Sequence, residues 1–304
     1  MASIEVEGLS KVYSYYKKKV GLKNSFHDLF FRETLYKEAV KGISFAIDEG
    51  EMVGFIGPNG AGKTTTLKML SGILYPTSGK ASVIGYTPWE RKDEFKRQIS
   101  IVMGQKNQLW WDLPASESFY LNKYIYEIEE NKFKSRLEEL CELLDVKDLL
   151  NIQVRRLSLG ERMKMELIAA LLHDPPIILL DEPTIGLDIV SQQKLREFLK
   201  YYNEQFKTTI LLTSHYINDI QELCNRAIII NHGTIVYDGS LKKINDSFNS
   251  VKILKVKFDH VISREQIQKY GKIIEYDGIQ IVLEVEKTEI NCISKKILND
   301  YQPL

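Results

Sequence analysis

No stretch of the chain approaches the roughly 18 consecutive apolar residues that a membrane span requires. Its most apolar runs, over 177–180 and 227–230, are short and read as core strands. The N-terminus, Met1-Ala2-Ser3-Ile4-Glu5-Val6-Glu7, lacks the basic start and following apolar stretch of a secretory signal. Cysteine is scarce. Cys141, Cys224 and Cys292 stand far apart without metal-ligand spacing, which excludes a disulfide frame and predicts buried apolar thiols in a reducing compartment. Neither charge is in excess: 41 Lys and Arg oppose 41 Asp and Glu, so bulk charge gives no support to a nucleic-acid partner. Internal repeats and low-complexity tracts are absent. These absences predict a soluble, cytoplasmic protein whose membrane role, if it has one, comes through a partner.

What is present is ordinary globular usage, 44% apolar and 27% charged, in 304 residues. That length suits one large domain with an appendage, or two modest ones. A short apolar run over 51–56 breaks at Gly57, and glycines lead into a helical stretch over 64–70. Further strand signals recur over 99–103, 177–180, 209–213 and 226–230, several with helical stretches between them. Such alternation predicts an α/β fold, a parallel sheet with helices on its faces. Residues 117–150 break the pattern: Leu137, Leu140, Cys141 and Leu144 follow helical spacing, which predicts a helical insertion. A second helix is expected from Ser158, a good N-cap, to His173, where Pro175 and Pro176 stop it.

Two other segments stand apart. Residues 14–38 hold Lys17, Lys18, Lys19, Lys23, Arg32 and Lys37, with Leu22, Phe26, Leu29 and Phe30 at helical spacing. This reads as an insertion packing on its own domain, or as a contact with anionic lipid or a membrane partner. From 241 the pattern resets. It reads strand (253–258), polar helix (263–270), two strands around Asp277-Gly278 and a helix from about Thr288, a small α+β appendage over 241–304. That appendage is a regulatory or dimer element, or a passive cap.

Gly57-Pro58-Asn59-Gly60-Ala61-Gly62-Lys63-Thr64 fits the phosphate-binding pattern G-x-x-x-x-G-K-[ST], with Thr65 next in the helix. Glycines let backbone N–H groups converge on phosphates, and the following helix presents its positive end. Lys63 supplies a point charge for the outer phosphates, and the Thr64 hydroxyl suits Mg²⁺. The strand over 177–180 runs into Asp181 and Glu182. Beside such a loop, the first acid reaches the metal shell and the second can polarise a water.

Further residues narrow the reading. Leu157-Ser158-Leu159-Gly160-Glu161 resembles the signature of ABC ATPases, usually Leu-Ser-Gly-Gly-Gln. Glu182-Pro183-Thr184-Ile185-Gly186-Leu187-Asp188 resembles that family's D-loop, and Thr213-Ser214-His215 its switch histidine. Gln105 falls at the Q-loop glutamine, and Tyr13 where the family stacks an aromatic ring on adenine. The resemblance runs from Ile4 to about Gly239 and departs at Leu159 and Glu161, while Ser158 and Gly160 are kept. It implies an ABC nucleotide-binding domain over 1–240, with an antiparallel β subdomain and a helical subdomain at about 112–172. The implied ligands are ATP and Mg²⁺.

The resemblance also implies roles. Glu182 orients the attacking water, His215 contacts the γ-phosphate, and Gln105 links the metal region to a permease-facing surface. Thr64, Gln105 and Asp181 surround the metal. Ser158 and Gly160, with the D-loop Asp188, complete the nucleotide site of a second copy. Leu-Ser-Leu-Gly-Glu-Arg-Met and Trp110-Trp111-Asp112-Leu113-Pro114 are similar to the ATP-binding subunits of ABC-2 type exporters of the daunorubicin-resistance and sodium-exporter kind. That branch implies separate transmembrane permeases and a peripheral place on the inner face of the membrane. Trp110 and Trp111 contact the permease or pack the helical subdomain. An importer ATPase and a soluble ABC ATPase are the alternatives. Against the soluble class, only one P-loop is present and 105–158 is too short for a coiled-coil insertion. His27, His173, His232 and His260 match no motif and read as surface or packing residues.

Overall fold

The computed structural model describes residues 2–16, 34–104, 106–215, 217–243, 251–286 and 289–301. They form two compact units, Met1–Gly239 and Ser240–Leu304.

The first unit is built on a six-stranded sheet containing β3 (Met52–Ile56), β5 (Ile99–Met103), β6 (Ile177–Asp181), β7 (Thr209–Ser214), β8 (Arg226–Asn231) and β9 (Thr234–Ser240), in the order β5-β6-β7-β3-β8-β9. The pairs β5·β6, β6·β7, β7·β3 and β3·β8 are parallel. β3 and β7 are buried at every position and β6 at all but Asp181, the pattern of strands covered on both faces. β9 follows β8 through His232 and Gly233, both at positive φ, the geometry of a tight hairpin. The register matters for function. Ile56 lies opposite Ser214, and Asp181 opposite both Met103 and Thr213, so the carboxyl ends of four strands meet at one edge.

A three-stranded antiparallel sheet, β2-β1-β4, joins β1 (Ala2–Tyr16), β2 (Thr34–Asp48) and β4 (Ser78–Val83). Ile4, Val6, Leu9, Val40, Ile43 and Ile47 share one core with Phe55, Leu67, Met69 and Leu70. Residues 14–16 and 34–38, expected to begin and end an insertion, instead extend the β1·β2 ladder through Ser14↔Tyr36 and Tyr16↔Thr34. Their side chains are mostly exposed, so no apolar alternation marked them; backbone pairing alone holds them extended. The remainder of that segment, including Leu22, Phe26, His27, Leu29 and Phe30, lies outside the described residues.

The helices obey local rules. α1 (Lys63–Leu70) follows the glycine loop, and the short α2 (Asp93–Lys96) leads into β5. α3 (Ala115–Ile125) and α4 (Glu130–Leu144) occupy the region expected to be helical. α4 is capped by the Glu129 carboxylate and buries Phe133, Arg136, Leu140, Cys141 and Leu144 along one stripe. α5 (Leu159–Leu171) starts from a complete capping box between Ser158 and Glu161. α6 (Ile189–Phe206), N-capped by Asp188, buries Leu195, Phe198, Leu199 and Tyr202, and α7 (Ile217–Leu223) connects β7 to β8. None of the described helices is long and apolar enough to cross a membrane.

In the second unit, β10 (Val251–Lys257), β12 (Gln280–Glu286) and β11 (Lys272–Tyr276) form an antiparallel sheet with β12 central. α8 (Arg264–Gln268) and α9 (Ile290–Tyr301) complete a core of Phe258, Ile262, Ile267, Tyr270, Ile281, Leu283, Val285 and Ile297. Ser263, expected inside a helix, is the N-cap of α8 and closes a capping box with Gln266. Cys141 and Cys224 are buried, but Cys292 is exposed, contrary to the expectation for all three thiols. It lies on α9, whose one fully buried residue is Ile297.

Candidate nucleotide site

The loop between β3 and α1 is shaped by close approaches that only glycine permits. A Cβ on Gly57 would sit 2.3 Å from the Ile230 carbonyl oxygen. Gly62, at φ 112°, would place one 2.6 Å from the Ala39 carbonyl oxygen. No side chain caps α1, so its first-turn N–H groups keep their bonding capacity toward an anion. Here opens a cavity of about 550 Å³, lined by Asn59, Gly60, Ala61, Gly62, Lys63, Thr64 and Thr65 on one side and by Asp181 and Glu182 on another.

Lys63 is almost fully buried. Its Nζ donates to the Gly57 carbonyl at 2.7 Å and the Pro58 carbonyl at 3.3 Å, and pairs with Glu182 Oε1 at 3.3 Å. Thr64 Oγ1 donates to the Asp181 carboxylate, 2.8 Å from Oδ2 and 3.0 Å from Oδ1. The two residues thus bring hydroxyl and carboxylate oxygens together, the hard-donor chemistry Mg²⁺ takes. Glu182 Oε1 also lies 3.2 Å from His215 Nδ1. Lysine, glutamate and histidine therefore converge from the ends of three different segments.

Thr213 joins them. This fully buried residue donates its hydroxyl to Asp181 Oδ1 at 2.8 Å and accepts the Glu182 N–H at 2.9 Å. Glu182 itself adopts φ 53°, a left-handed conformation uncommon for a residue with a side chain. The sequence pattern names Thr213 only as a neighbour of His215. Its role comes from strand register, which pairs it with Asp181.

Tyr13 lines the same cavity with a partly exposed ring, and Lys11 Nζ sits 5.5 Å from the ring centroid. Lys37, Lys68 and Lys106 also line it, and sequence reasoning missed them as site residues. Lys37 pairs with Tyr13 across the β1·β2 ladder, a relation that becomes visible only once the ladder is known. With Lys63 they make a strongly cationic wall, suited to a polyphosphate. Gln105 lies outside the described residues; Met103 and Lys106, on either side of it, line the cavity.

Ser158, Gly160 and Asp188 do not border this cavity. They belong to a second cluster. The Ser158 hydroxyl donates to Glu161 Oε2 at 2.8 Å, and a Cβ on Gly160 would meet Ser191 Oγ at 2.7 Å. Asp188 accepts from Ser191 N at 2.9 Å and Ser191 Oγ at 2.6 Å, and these bonds hold its carboxyl below the usual range. Leu159, where the related pattern has glycine, packs over Gly186: a Cβ there would be 2.9 Å from Leu159 Cδ2. The two departures in the signature are thus absorbed locally, Leu159 by Gly186 and Glu161 by the cap of α5.

His173 follows α5 and stacks on Tyr126 at 3.8 Å, nearly parallel, a packing role. A groove of about 730 Å³ runs beside α3, lined by Ile101, Leu109, Trp110, Leu121, Ile125 and Tyr126 among others. Trp110 and Trp111 are about half exposed, and the Arg162 guanidinium lies 5.4 Å from the Trp111 ring.

Comparisons with known proteins identify the family. Residues 40–185 match the family described as "ABC transporter", and residues 250–304 match "EvrA-like ABC transporter, C-terminal domain". The chain is 37% identical over 213 residues to the ABC transporter ATP-binding protein NatA of Bacillus subtilis, covering 70% of this chain and 86% of that one. It is 30% identical over 254 residues to Nod factor export ATP-binding protein I of Burkholderia pseudomallei, covering 83% of each. Among solved structures, a dimeric ATP-binding cassette in a post-hydrolysis state with ADP and Pi superposes with a TM-score of 0.65 at 26% identity. That match covers 78% of this chain and 98% of that one.

Proposed function

Because the chain belongs to the ABC transporter ATP-binding proteins, a family of ATP-hydrolysing cassettes, we propose that it powers an ABC-2 type exporter as a pair of copies docked on separate membrane permeases. The observation that carries this reading is the division of the site. Lys63, Thr64, Asp181, Glu182 and His215 gather at one cavity or its edge, whereas Ser158, Gly160 and Asp188 gather elsewhere. A site split in this way is completed by a second chain.

In the complete site, the uncapped turn of α1 and Lys63 hold the β- and γ-phosphates, and the Tyr13 ring stacks on adenine. Thr64 and Asp181, with Gln105, hold Mg²⁺, which when bound offsets charge on the phosphates. Glu182 orients the attacking water, and His215, held at Glu182, positions the γ-phosphate. Ser158 and Gly160 of the second copy direct donors to the γ-phosphate, where charge develops in the transition state. Closure over ATP and opening after hydrolysis are the motion delivered to the permease.

The groove beside α3 is the surface for that delivery. It is mostly apolar, with Arg91 and Lys96 also lining it, exposes Trp110, and includes Met103 and Gln108 on either side of the Gln105 segment. A permease docked there places the chain on the cytoplasmic face of the membrane. Export is supported by the similarity to a Nod factor export protein. Residues 1–240 act as the nucleotide-binding domain and 241–304 as a separate appended domain.

Lys63→Ala is the primary test. It removes the buried charge that balances the outer phosphates in a cradle already formed. Equilibrium binding of labelled Mg-ATP is expected to show most affinity lost, and wild-type affinity would overturn the assignment. For export, neighbouring reading frames should encode multi-span proteins without a solute-binding protein.

A further inference from the structure

Asp219 lies on α7 and is 5% exposed, deeper than most carboxylates tolerate without full hydrogen bonding. It has that bonding from three separate segments. Its Oδ2 accepts from Thr184 Oγ1 at 2.7 Å and from Ser214 Oγ at 3.4 Å. Its Oδ1 accepts from Arg196 Nη1 at 2.9 Å, and the same guanidinium pairs through Nε with Glu222 at 2.7 Å. Thr184 and Ser214 are themselves buried.

The placement of the three donors is what gives the contact meaning. Thr184 sits in the turn that runs from Glu182 to Asp188, and its carbonyl accepts from Leu187 N and from Gln192 Nε2. Ser214 is the last residue of β7, immediately before His215. Arg196 is on α6, whose N-cap is Asp188. One carboxylate therefore fastens together the turn bearing Glu182, the segment bearing His215 and the helix that begins at Asp188.

We propose that Asp219 is a positioning residue that makes these three pieces move as one body. A second copy meeting the chain at Asp188 is then transmitted to the pair Glu182–His215, whose side chains lie 3.2 Å apart. This rests on the reading of Glu182 and His215 as the groups acting on nucleotide. A carboxylate is required at the hub because it accepts on both oxygens. An amide keeps the shape but carries no charge for the Arg196 guanidinium. Its NH₂ group meets either that guanidinium, donor against donor, or the hydroxyls, which must then reverse from donating to accepting.

The test uses the purified full chain, with steady-state ATPase activity, Mg-ATP binding and thermal unfolding measured side by side. Asp219→Asn is expected to lower kcat tenfold or more, the order of loss for a displaced catalytic group, with ATP affinity within about threefold of wild type. Thr184→Val, which removes one arm and leaves the Arg196 pair, is expected to lower kcat in the same way, and Thr184→Ser to restore most of it. The double variant Asp219→Asn/Thr184→Val should be no slower than the slower single one, because both cut one linkage. If Asp219→Asn does not fold, the Thr184 pair decides alone. Near-normal kcat in Asp219→Asn and Thr184→Val, alongside a His215→Ala variant that has lost turnover, overturns the hub and leaves the site reading standing. Full turnover in both His215→Ala and Glu182→Gln would instead overturn the site reading.

Discussion

Glu182 is constrained in both its backbone and its side chain. Its backbone is left-handed, its N–H is fixed by Thr213, and its carboxylate lies between Lys63 and His215. Such strain persists only where surrounding contacts over-determine it, and in the proposed role those contacts hold the carboxylate that would align the attacking water. Glu182→Gln keeps the shape and loses the base. It is expected to bind ATP with near wild-type affinity and to turn over roughly 10² to 10⁴-fold more slowly. Single-turnover hydrolysis checks this, and near-normal turnover would shift the role to His215. At this scale the sequence was partly legible. Gly57 to Thr65 can be read because phosphate chemistry fixes residue types at fixed spacing along one loop. Thr213, Lys37 and Asp219 could not be read so, since each acts through a partner brought near by strand register or packing rather than by spacing. Gln105 was read from sequence alone.

Among the elements, α5 joins the two clusters' scaffolds and contains an electrostatic balance that pH will expose. Glu166 is buried on it, and burial pushes its carboxyl up to about 7, against the opposing pull of the Gln108 backbone and Arg162. His173, just after its end, is pushed down by burial to about 4. The signs are opposite. Glu166 holds its proton more tightly when folded, so its contribution is full below the unfolded value of 4.5 and lost as pH rises through 7. His173 resists protonation when folded, so its contribution is full above 6.5 and lost as pH falls through 4. Each is worth roughly 3 kcal/mol at most, and between about 4.5 and 6.5 they largely cancel. Relative to wild type, Glu166→Gln is expected to gain stability as pH rises from 4.5 to 7. His173→Phe is expected to gain it as pH falls from 6.5 to 4. Denaturant midpoints across pH 4 to 8 measure both, and difference curves of the same sign would refute the pairing. The element itself was legible: Ser158 and the prolines framed it. The helices were legible because each carries its burial on one period, and the core strands because each is a short continuous apolar run, buried at nearly every position. The outer ends of β1 and β2 were not, since their side chains are mostly exposed and carry no period.

The whole molecule must account for two clusters that one chain leaves apart, one around Lys63 and the other around Ser158 and Asp188. If the first of one copy meets the second of another, complementation between variants has a definite outcome. Ser158→Arg sets a bulky cation where a hydroxyl must approach phosphate, so it is expected to bind ATP and fail to hydrolyse it. Lys63→Ala fails at binding. In a mixed dimer, trans pairing sets the intact P-loop of the Ser158→Arg chain against the intact signature of the Lys63→Ala chain, and both lesions fall in the other site. One undamaged site then forms, and ATPase activity of the mixed dimer is expected to exceed that of either variant alone. Were each site built within one chain, every site would carry a lesion and no activity would return. Mixed dimers that form and stay silent could still hold one good site disabled by its dead neighbour, so a second measurement separates the cases. Cysteines placed near Ser158 and Gly60 should crosslink between copies only with ATP present, in a Glu182→Gln chain that closes without hydrolysing. Cys292, the one exposed native thiol, is first changed to serine, while Cys141 and Cys224 are buried and kept. Burial also raises both of those thiols' pKa values, Cys141 to about 11, so neither supplies thiolate to compete near neutral pH. An ATP-dependent crosslink together with recovered turnover establishes the shared site. Absence of both would mean that Ser158 serves only as the cap of α5.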